Sequence, residues 1–213
     1  MMHISVKICG ITNQEDLLSA CNAGADAIGF VFYAPSQRYI APVDAAELCK
    51  KLPPLVKSVG LFVDATEAEV NSVLDQVPLD ILQFHGEESG QFCQSFSRPY
   101  FKATAMKPGL DVQRVIDEHP HAQGFLWDAF KQGVPGGTGE TFNWDRFPKA
   151  SQSFHILAGG LDPDNVQQAI LASKPYAVDV SGGVESKPGK KSVDKIRAFI
   201  SNAKHSNIFN VNE

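Results

Sequence analysis

Two residues able to transfer protons each stand at the end of a short apolar run. Cys9 ends the run 4–9, and Asp128 directly follows the run 124–127. A thiol and a carboxyl group that face one cavity can act as base and acid in a single reaction. The alternatives are a small core residue for Cys9 and a helix cap or a loop ion pair for Asp128. The pair predicts acid/base catalysis if the fold brings the two groups together.

Both groups would need surroundings suited to these roles. A thiol with a pKa of about 8.5 is mostly protonated at neutral pH, so Cys9 needs a neighbour that favours the thiolate. Asp128 has to keep its proton at neutral pH. The apolar residues 125–127 that precede it would favour the uncharged form.

Two glycine pairs follow the last two apolar runs of the chain. Gly159 and Gly160 form the first pair, and Gly182 and Gly183 form the second, directly after Ser181. Glycines let backbone N–H groups approach an oxyanion, and a short helix after the last run would add the positive end of its dipole. One such pair is often only a turn, but two after consecutive terminal strands predict a phosphate site.

Three further features could take part in ligand binding. Arg38 follows the second apolar run and could hold a planar carboxylate through two parallel hydrogen bonds, although a solvated surface arginine fits equally well. His85 ends the fourth run, as either a hydrogen-bonded structural imidazole or a ligand contact. The glycine-rich residues 133–139 lie in a loop of roughly 15 residues after Asp128, a length that favours a lid.

Short apolar runs alternate with helical patterns along the chain. This alternation indicates parallel strands joined by crossover helices, and eight repeats predict an α/β fold with a single closed (β/α)8 TIM barrel. An open, doubly wound sheet uses the same local pattern. In a barrel the active site lies at the C-terminal ends of the strands, where the candidate residues stand. The runs are 4–9, 27–32, 55–63, 81–84, 100–103, 124–127, 154–158 and 176–180.

Capping residues mark the predicted helix starts. Thr12 or Asn13 can cap a first helix that Gly24 closes, and Thr66 with Glu69 forms a capping box. The other starts are Pro42, Asp162-Pro163 for a helix through Leu171, and Ser192 for a helix through Ala203.

The composition suits one sizeable core. The 213 residues are 43% apolar with a net charge of -5 and four cysteines, which excludes a disordered chain, a disulfide scaffold and a basic nucleic-acid surface. No apolar stretch approaches the ~18 residues of a membrane span, and the N-terminus has no signal-peptide pattern. We expect one barrel domain over residues 1–204, a frayed polar tail over 205–213 and a cytoplasmic location with reduced thiols.

Several other chemistries lack their motifs. The sequence has no His-Glu-x-x-His, no Gly-x-Ser-x-Gly and no complete Gly-x-Gly-x-x-Gly after the first strand. Residues 183–192 come close to a P-loop, but Pro188 stands where the second glycine is required. Zinc proteases, serine hydrolases, nicotinamide enzymes and P-loop enzymes are therefore disfavoured.

Eight stretches carry a family resemblance that covers nearly the whole chain in order. They are KICGIT at 7–12, GFVF at 29–32, SQRY at 36–39, GLFV at 60–63, QFHG at 83–86, GGTG at 136–139, LAGGL at 157–161 and DVSGGVE at 179–185. Together they resemble the phosphoribosylanthranilate isomerase family of tryptophan biosynthesis.

The resemblance implies an Amadori rearrangement of a phosphorylated aminosugar, with no cofactor and no metal. It implies that Asp128 protonates the ring oxygen and that Cys9 removes the proton from C2. It also implies that Arg38 lies near the anthranilate carboxylate, and that the phosphate binds the backbone around Gly160 and residues 181–183.

Departures from the family pattern are few, and two other functions stay open. Gly182 replaces an expected serine, and Lys191-Ser192 replaces a common Lys-Asp. A ribulose-phosphate epimerase of the same fold would need metal-binding His and Asp residues at several strand ends, and the sequence lacks them. A non-catalytic sugar-phosphate sensor would keep only the anion site. The presence of both proton-transfer residues counts against a sensor, and turnover would distinguish it from an enzyme.

Overall fold

The computed structural model describes residues 4–129, 143–148 and 153–205. Within them, parallel strands form a closed eight-stranded barrel in sequence order. The strands are β1 (Ser5–Cys9), β2 (Ala27–Val31), β3 (Lys57–Phe62), β4 (Ile81–Phe84), β5 (Tyr100–Ala105), β6 (Gly124–Asp128), β7 (Phe154–Leu157) and β8 (Ala177–Val180). β1 pairs with β8 from Ser5 opposite Ala177 to Ile8 opposite Val180, which excludes an open sheet. The predicted barrel is confirmed.

Helices occupy the crossovers on the outside of the barrel. Those in the described residues are α1 (Gln14–Ala23), α2 (Pro42–Cys49), α3 (Glu67–Leu74), α4 (Gly90–Cys93), α5 (Val112–Glu118), α6 (Val166–Ser173) and α7 (Val193–Lys204). The sequence pattern did not predict α4 and α5. α4 is a single turn, and α5 buries none of its residues fully, so neither has a strong apolar period.

The predicted caps form at three helices. The Asn13 side chain accepts a hydrogen bond from the backbone of α1, and Gly24 closes that helix in the left-handed conformation with φ 97°. Thr66 and Glu69 form the capping box of α3. The Ser192 side chain caps α7, so the serine at this position supplies a helix start.

The sixth helix begins later than predicted. α6 starts at Val166 rather than after Asp162, and it ends beyond the predicted Leu171. Asp162 Oδ1 accepts hydrogen bonds from the backbone N–H groups of Asp164 and Asn165 at 2.8 and 2.9 Å. The carboxylate therefore closes a turn before the helix instead of capping the helix itself.

The segment after β8 also differs from the prediction of a short helix. Residues Gly182–Val184 make only a three-residue 3₁₀ turn. A two-stranded antiparallel hairpin follows, formed by β9 (Glu185–Lys187) and β10 (Lys190–Lys191). A turn this short adds little dipole, so an anion here would depend on individual amide groups.

Side chains alternate between the barrel interior and the helix layer. Val59, Phe101, Ala103 and Leu126 form a buried cluster separate from the large core that contains Phe125 and Trp127. Asp128 shares the parity of Leu126, so the flanking aromatic side chains lie on the opposite face of β6. The apolar run before Asp128 therefore supplies only one of its three side chains to the face that carries the carboxylate.

Two predictions concern residues outside the described ones. The lid over residues 133–139 and all of the predicted tail beyond residue 205 lie there. Among the helices that are described, none is long and apolar enough to cross a membrane.

Candidate active site

The C-terminal ends of the strands surround a cavity of about 1100 Å³. Its lining includes five of the residues singled out in the sequence: Cys9, Arg38, His85, Asp128 and Ser181. The barrel thus brings the proposed base and acid to one cavity, together with a guanidinium, an imidazole and a hydroxyl group.

Cys9 lies at the end of β1 with 4% of its surface exposed. Its register partner on β2 is Gly29, and a Cβ added there would lie 2.8 Å from the Cys9 sulfur. Burial raises the pKa of the Cys9 thiol, while the nearby Lys7 ammonium acts to lower it. The sulfur has room to face the cavity, but it needs a cation to become a thiolate.

Asp128 ends β6 and is also mostly buried. Its Oδ1 accepts a hydrogen bond from the Ala129 backbone N–H at 2.8 Å. Its Oδ2 lies 3.3 Å from His85 Nε2. One oxygen is therefore held by the backbone, and the other lies close to the imidazole of His85.

His85 is held in place by neighbouring side chains, and its contact with a ligand stays a prediction. It lines the cavity, and its ring nitrogens contact Asp128 on one side and Gln83 on the other, where Gln83 Nε2 lies 3.0 Å from His85 Nδ1. Gln83 is fully buried. The imidazole is therefore fixed between a strand side chain and the candidate acid.

Arg38 is not a solvated surface arginine, and its two parallel donors are not free to bind a ligand carboxylate. Its Nε and Nη2 donate to the two oxygens of Glu185 at 2.7 and 2.8 Å. Burial by itself would raise the pKa of Glu185, but the Arg38 hydrogen bonds and the Lys191 ammonium outweigh it and lower that pKa. Among the described residues, no partner bonds the remaining nitrogen, Arg38 Nη1. The two-bond grip predicted from the sequence is thus already used inside the protein.

The glycine pairs come together beside the main cavity. Gly159 and Gly160 have φ of 84° and 65°, and neither amide donates a hydrogen bond to another described residue. Gly183 packs directly against the backbone of Leu161, so the loops after β7 and β8 are in contact. Gly182 and Gly183 line a neighbouring space of about 470 Å³, not the larger cavity.

Sequence reasoning missed the charged partners inside the barrel. Lys7 Nζ lies 2.8 Å from Asp179 Oδ1, and Lys191 Nζ lies 2.9 Å from Glu185 Oε1. The spacing does carry a signal for the first pair, because Lys7 stands two residues before Cys9 and therefore shares its inward face. Nothing local identifies Glu185 as the partner of Arg38, since they are 147 residues apart.

The family model described as N-(5'phosphoribosyl)anthranilate (PRA) isomerase matches residues 6–202. The chain belongs to this family. The resemblance found in the sequence and the prediction of an isomerase are both confirmed.

Relatives and solved structures of the isomerase family agree along most of the chain. The N-(5'-phosphoribosyl)anthranilate isomerase of Alcanivorax borkumensis is 53% identical over 206 residues, covering 93% of this chain and 94% of its own. The crystal structure of the Thermotoga maritima phosphoribosyl anthranilate isomerase superposes with a TM-score of 0.84 at 40% identity, covering 94% of this chain and 98% of that one.

A further isomerase structure holds a bound ligand. It is a complex with reduced 1-(o-carboxyphenylamino)-1-deoxyribulose 5-phosphate, and it matches with a TM-score of 0.80 at 40% identity over 94% of this chain and 98% of its own.

Gly159→Ala tests two constraints that favour glycine at this position, the left-handed backbone and the lack of space for a side chain. Its φ of 84° strains any L side chain, and an added Cβ would lie 2.7 Å from Asp128 Oδ1 and collide with the Ala129 backbone nitrogen. We expect the free energy of unfolding to fall by the ~1–2 kcal/mol of left-handed strain, plus at least about 1 kcal/mol for the collision. Urea denaturation of the variant measures the sum of the two contributions.

Gly109→Ala is the matched control. Its φ is 77°, but an added Cβ meets nothing within 4 Å. Equal losses of stability in the two variants would show that contact with the Asp128 loop adds nothing.

Proposed function

We propose that this chain isomerises N-(5'-phosphoribosyl)anthranilate to 1-(2-carboxyphenylamino)-1-deoxyribulose 5-phosphate, with Asp128 as the acid and Cys9 as the base. Membership of the isomerase family supports the reaction. The observation that carries the residue roles is that Cys9 and Asp128, from strands β1 and β6, line the same cavity.

The first step opens the sugar ring. Asp128 donates its proton to the ring oxygen as the bond between C1 and that oxygen breaks, and the nitrogen lone pair forms the C1=N bond of an iminium ion. Asp128 Oδ2 is the oxygen that carries the proton in this proposal, since Oδ1 is held by the Ala129 amide. A mostly buried carboxyl group has little water to compete for that proton.

The second step moves the hydrogen from C2. The Cys9 thiolate takes the C2 proton, the electron pair left on C2 forms a C1=C2 bond, and the iminium electrons return to nitrogen. The resulting enol rearranges to the ketone of the product. The iminium ion itself accepts the electron pair, so the protein has to supply one proton donor and one proton acceptor.

The loops after β7 and β8 are the proposed phosphate site. The Gly159 and Gly160 amides make no hydrogen bond to another described residue, and Gly182 opens a 3₁₀ turn, where an amide has no partner within the turn. Lys191 Nζ donates to the Ser181 carbonyl, which brings a cation to this corner. Free amides and a neighbouring cation suit a phosphate dianion.

The anthranilate carboxylate is proposed to lie near Arg38. Arg38 lines the cavity, and Glu185 occupies only Nε and Nη2 of its guanidinium. Nη1 is therefore the nitrogen that would donate to the substrate. A single charge-assisted hydrogen bond is weaker than the two that the sequence suggested.

A small phosphorylated aminosugar is the proposed partner, in the cytoplasm. The net charge of -5 offers no general attraction for polyanions, so the anionic substrate has to be held by local groups.

Cys9→Ala and Asp128→Asn test the proposed base and acid. Each is expected to lower kcat by more than ~100-fold, the usual contribution of a general acid or base, while Asp128→Asn keeps substrate binding. Loss of N-(5'-phosphoribosyl)anthranilate fluorescence in steady-state assays gives kcat and KM separately.

Two controls carry the same substitutions outside the cavity. Cys21→Ala changes a cysteine on α1, and Asp117→Asn changes an exposed carboxylate on α5. Both should turn over at the wild-type rate. Wild-type turnover by Cys9→Ala would eliminate the proposed base, and an inactive wild-type protein that still binds the substrate would favour a sensor.

Arg38→Met tests the carboxylate contact. We expect KM to rise about tenfold with kcat changed much less, because a contact made equally in substrate and transition state contributes only to binding. Glu185→Gln distinguishes the roles of the guanidinium, since it weakens the internal partner and keeps Arg38. KM should stay or fall in that variant if Arg38 holds the substrate, whereas the same rise in KM for both variants would assign Arg38 to the ion pair alone.

A further inference from the structure

Lys7 and Asp179 form a buried ion pair inside the barrel, directly before the candidate base. The two residues are register partners on β1 and β8, with Lys7 Nζ 2.8 Å from Asp179 Oδ1. Only 6% and 9% of their side chains are exposed. Asp179 lines the same cavity as Cys9, so the pair lies at the catalytic centre and not at the base of the barrel.

The missing side chain of Gly29 brings Lys7 and Cys9 together. The two residues lie on the same face of β1 because they are two positions apart, and Cys9 on that face lines the cavity. A Cβ built on Gly29 would lie 2.8 Å from Cys9 Sγ and 3.1 Å from Lys7 Cε, so the two side chains fill the space over the same glycine. The end of the Lys7 side chain is therefore a direct neighbour of the sulfur.

Each cation near Cys9 is already paired with a carboxylate, so the cations differ in the element that carries them. The charged groups around Cys9 come from four elements: Lys7 on β1, Asp179 on β8, Lys191 on β10 and Arg38 in the loop after β2. Arg38 and Lys191 are both bound to Glu185. Lys7 is the cation that shares the strand and the inward face of Cys9.

We propose that Lys7, held in place by Asp179, is a positioning residue whose ammonium group stabilises the Cys9 thiolate for proton abstraction. This inference rests on the proposed role of Cys9 as the base. Burial raises the pKa of the Cys9 thiol, and the attraction of Lys7 is the largest of the effects that lower it. Asp179 opposes Lys7 in this respect with a smaller effect, but its negative charge raises the pKa of Lys7 against the effect of burial and so keeps the ammonium charged.

The test is the pH dependence of Cys9 alkylation in the full-length protein. Iodoacetamide reacts with the thiolate, and tandem mass spectrometry separates Cys9 from the other three cysteines. The double variant Lys7→Met/Asp179→Asn removes both charges, which avoids leaving one buried charge alone. We expect the midpoint of Cys9 alkylation to rise by at least about one pH unit, so that the rate at neutral pH falls about tenfold.

A matched control removes another buried ion pair from the same cavity. Lys102 Nζ lies 2.9 Å from Glu88 Oε2, and these side chains are 6% and 3% exposed. Lys102→Met/Glu88→Gln should leave the Cys9 midpoint unchanged, because that pair stands on the opposite part of the barrel wall, at β5 and the loop after β4. An equal shift in the control would overturn the proposal by showing a general effect of lost ion pairs.

A second variant covers a failure to fold. Lys7→Gln/Asp179→Asn keeps a hydrogen-bonding pair without charge, and circular dichroism reports the fold of both double variants. In a folded double variant, an unchanged Cys9 midpoint refutes the role of Lys7. With the expected shift, kcat should recover toward the wild-type value as the pH rises, which a merely structural defect would not allow.

The alkylation readout separates this inference from the proposed function. If Cys9→Ala turned over normally, the base assignment would fail whatever the Cys9 midpoint did. If the midpoint stayed fixed while Cys9→Ala was inactive, only the role of Lys7 would fail.

Discussion

The pairing of β1 with β8 is the contact on which both the barrel and its site depend. It closes the sheet, and its register places Lys7 against Asp179 and the Cys9 carbonyl beside the Ser181 hydroxyl. Because side chains alternate along a strand, a slip of one residue would turn the ammonium and the thiol toward the helices. Separating the Lys7–Asp179 ion pair would leave buried charges without partners, at a cost of about 3–5 kcal/mol. The register that closes the barrel therefore also orients the proposed base.

Buried ion pairs contribute to the cavity wall, and their positions matter more for the electrostatics of the site than for the stability of the fold. Desolvating two charges offsets most of the attraction between them, so the pairs Lys7–Asp179 and Lys102–Glu88 add little to the free energy of folding. They do keep charges at fixed positions where little water enters. Fixed charges need not reorganise during proton transfer, which is the main way in which an enzyme lowers the barrier of such a step. The same reasoning applies to the proposed phosphate site, where the left-handed backbone at Gly159 and Gly160 holds the amide groups in position before a ligand binds.

The strands and most helix starts could be predicted because their signals are local. Apolar runs bounded by Gly, Pro or Asp gave β4 its observed limits, and capping residues such as Asn13 and Thr66 act within one turn. The candidate residues were located because strand ends of a barrel converge. Partners across the barrel leave no such signal, which is why Glu185 was missed beside Arg38. The apolar character of the surroundings of Asp128 was overestimated for another reason. Alternate side chains of a strand point to opposite faces, so only part of an apolar run can surround the carboxylate.

The contact between Gln83 and His85 fixes which imidazole nitrogen faces the proposed acid. Gln83 Nε2 lies 3.0 Å from His85 Nδ1, and an amide nitrogen can only donate, so Nδ1 accepts. A neutral imidazole with an accepting Nδ1 carries its proton on Nε2. His85 Nε2 lies 3.3 Å from Asp128 Oδ2, the oxygen that gives up its proton in the proposed first step. The N–H group of His85 therefore stands beside the negative charge that would develop on Asp128, and a buried glutamine on β4 keeps it there.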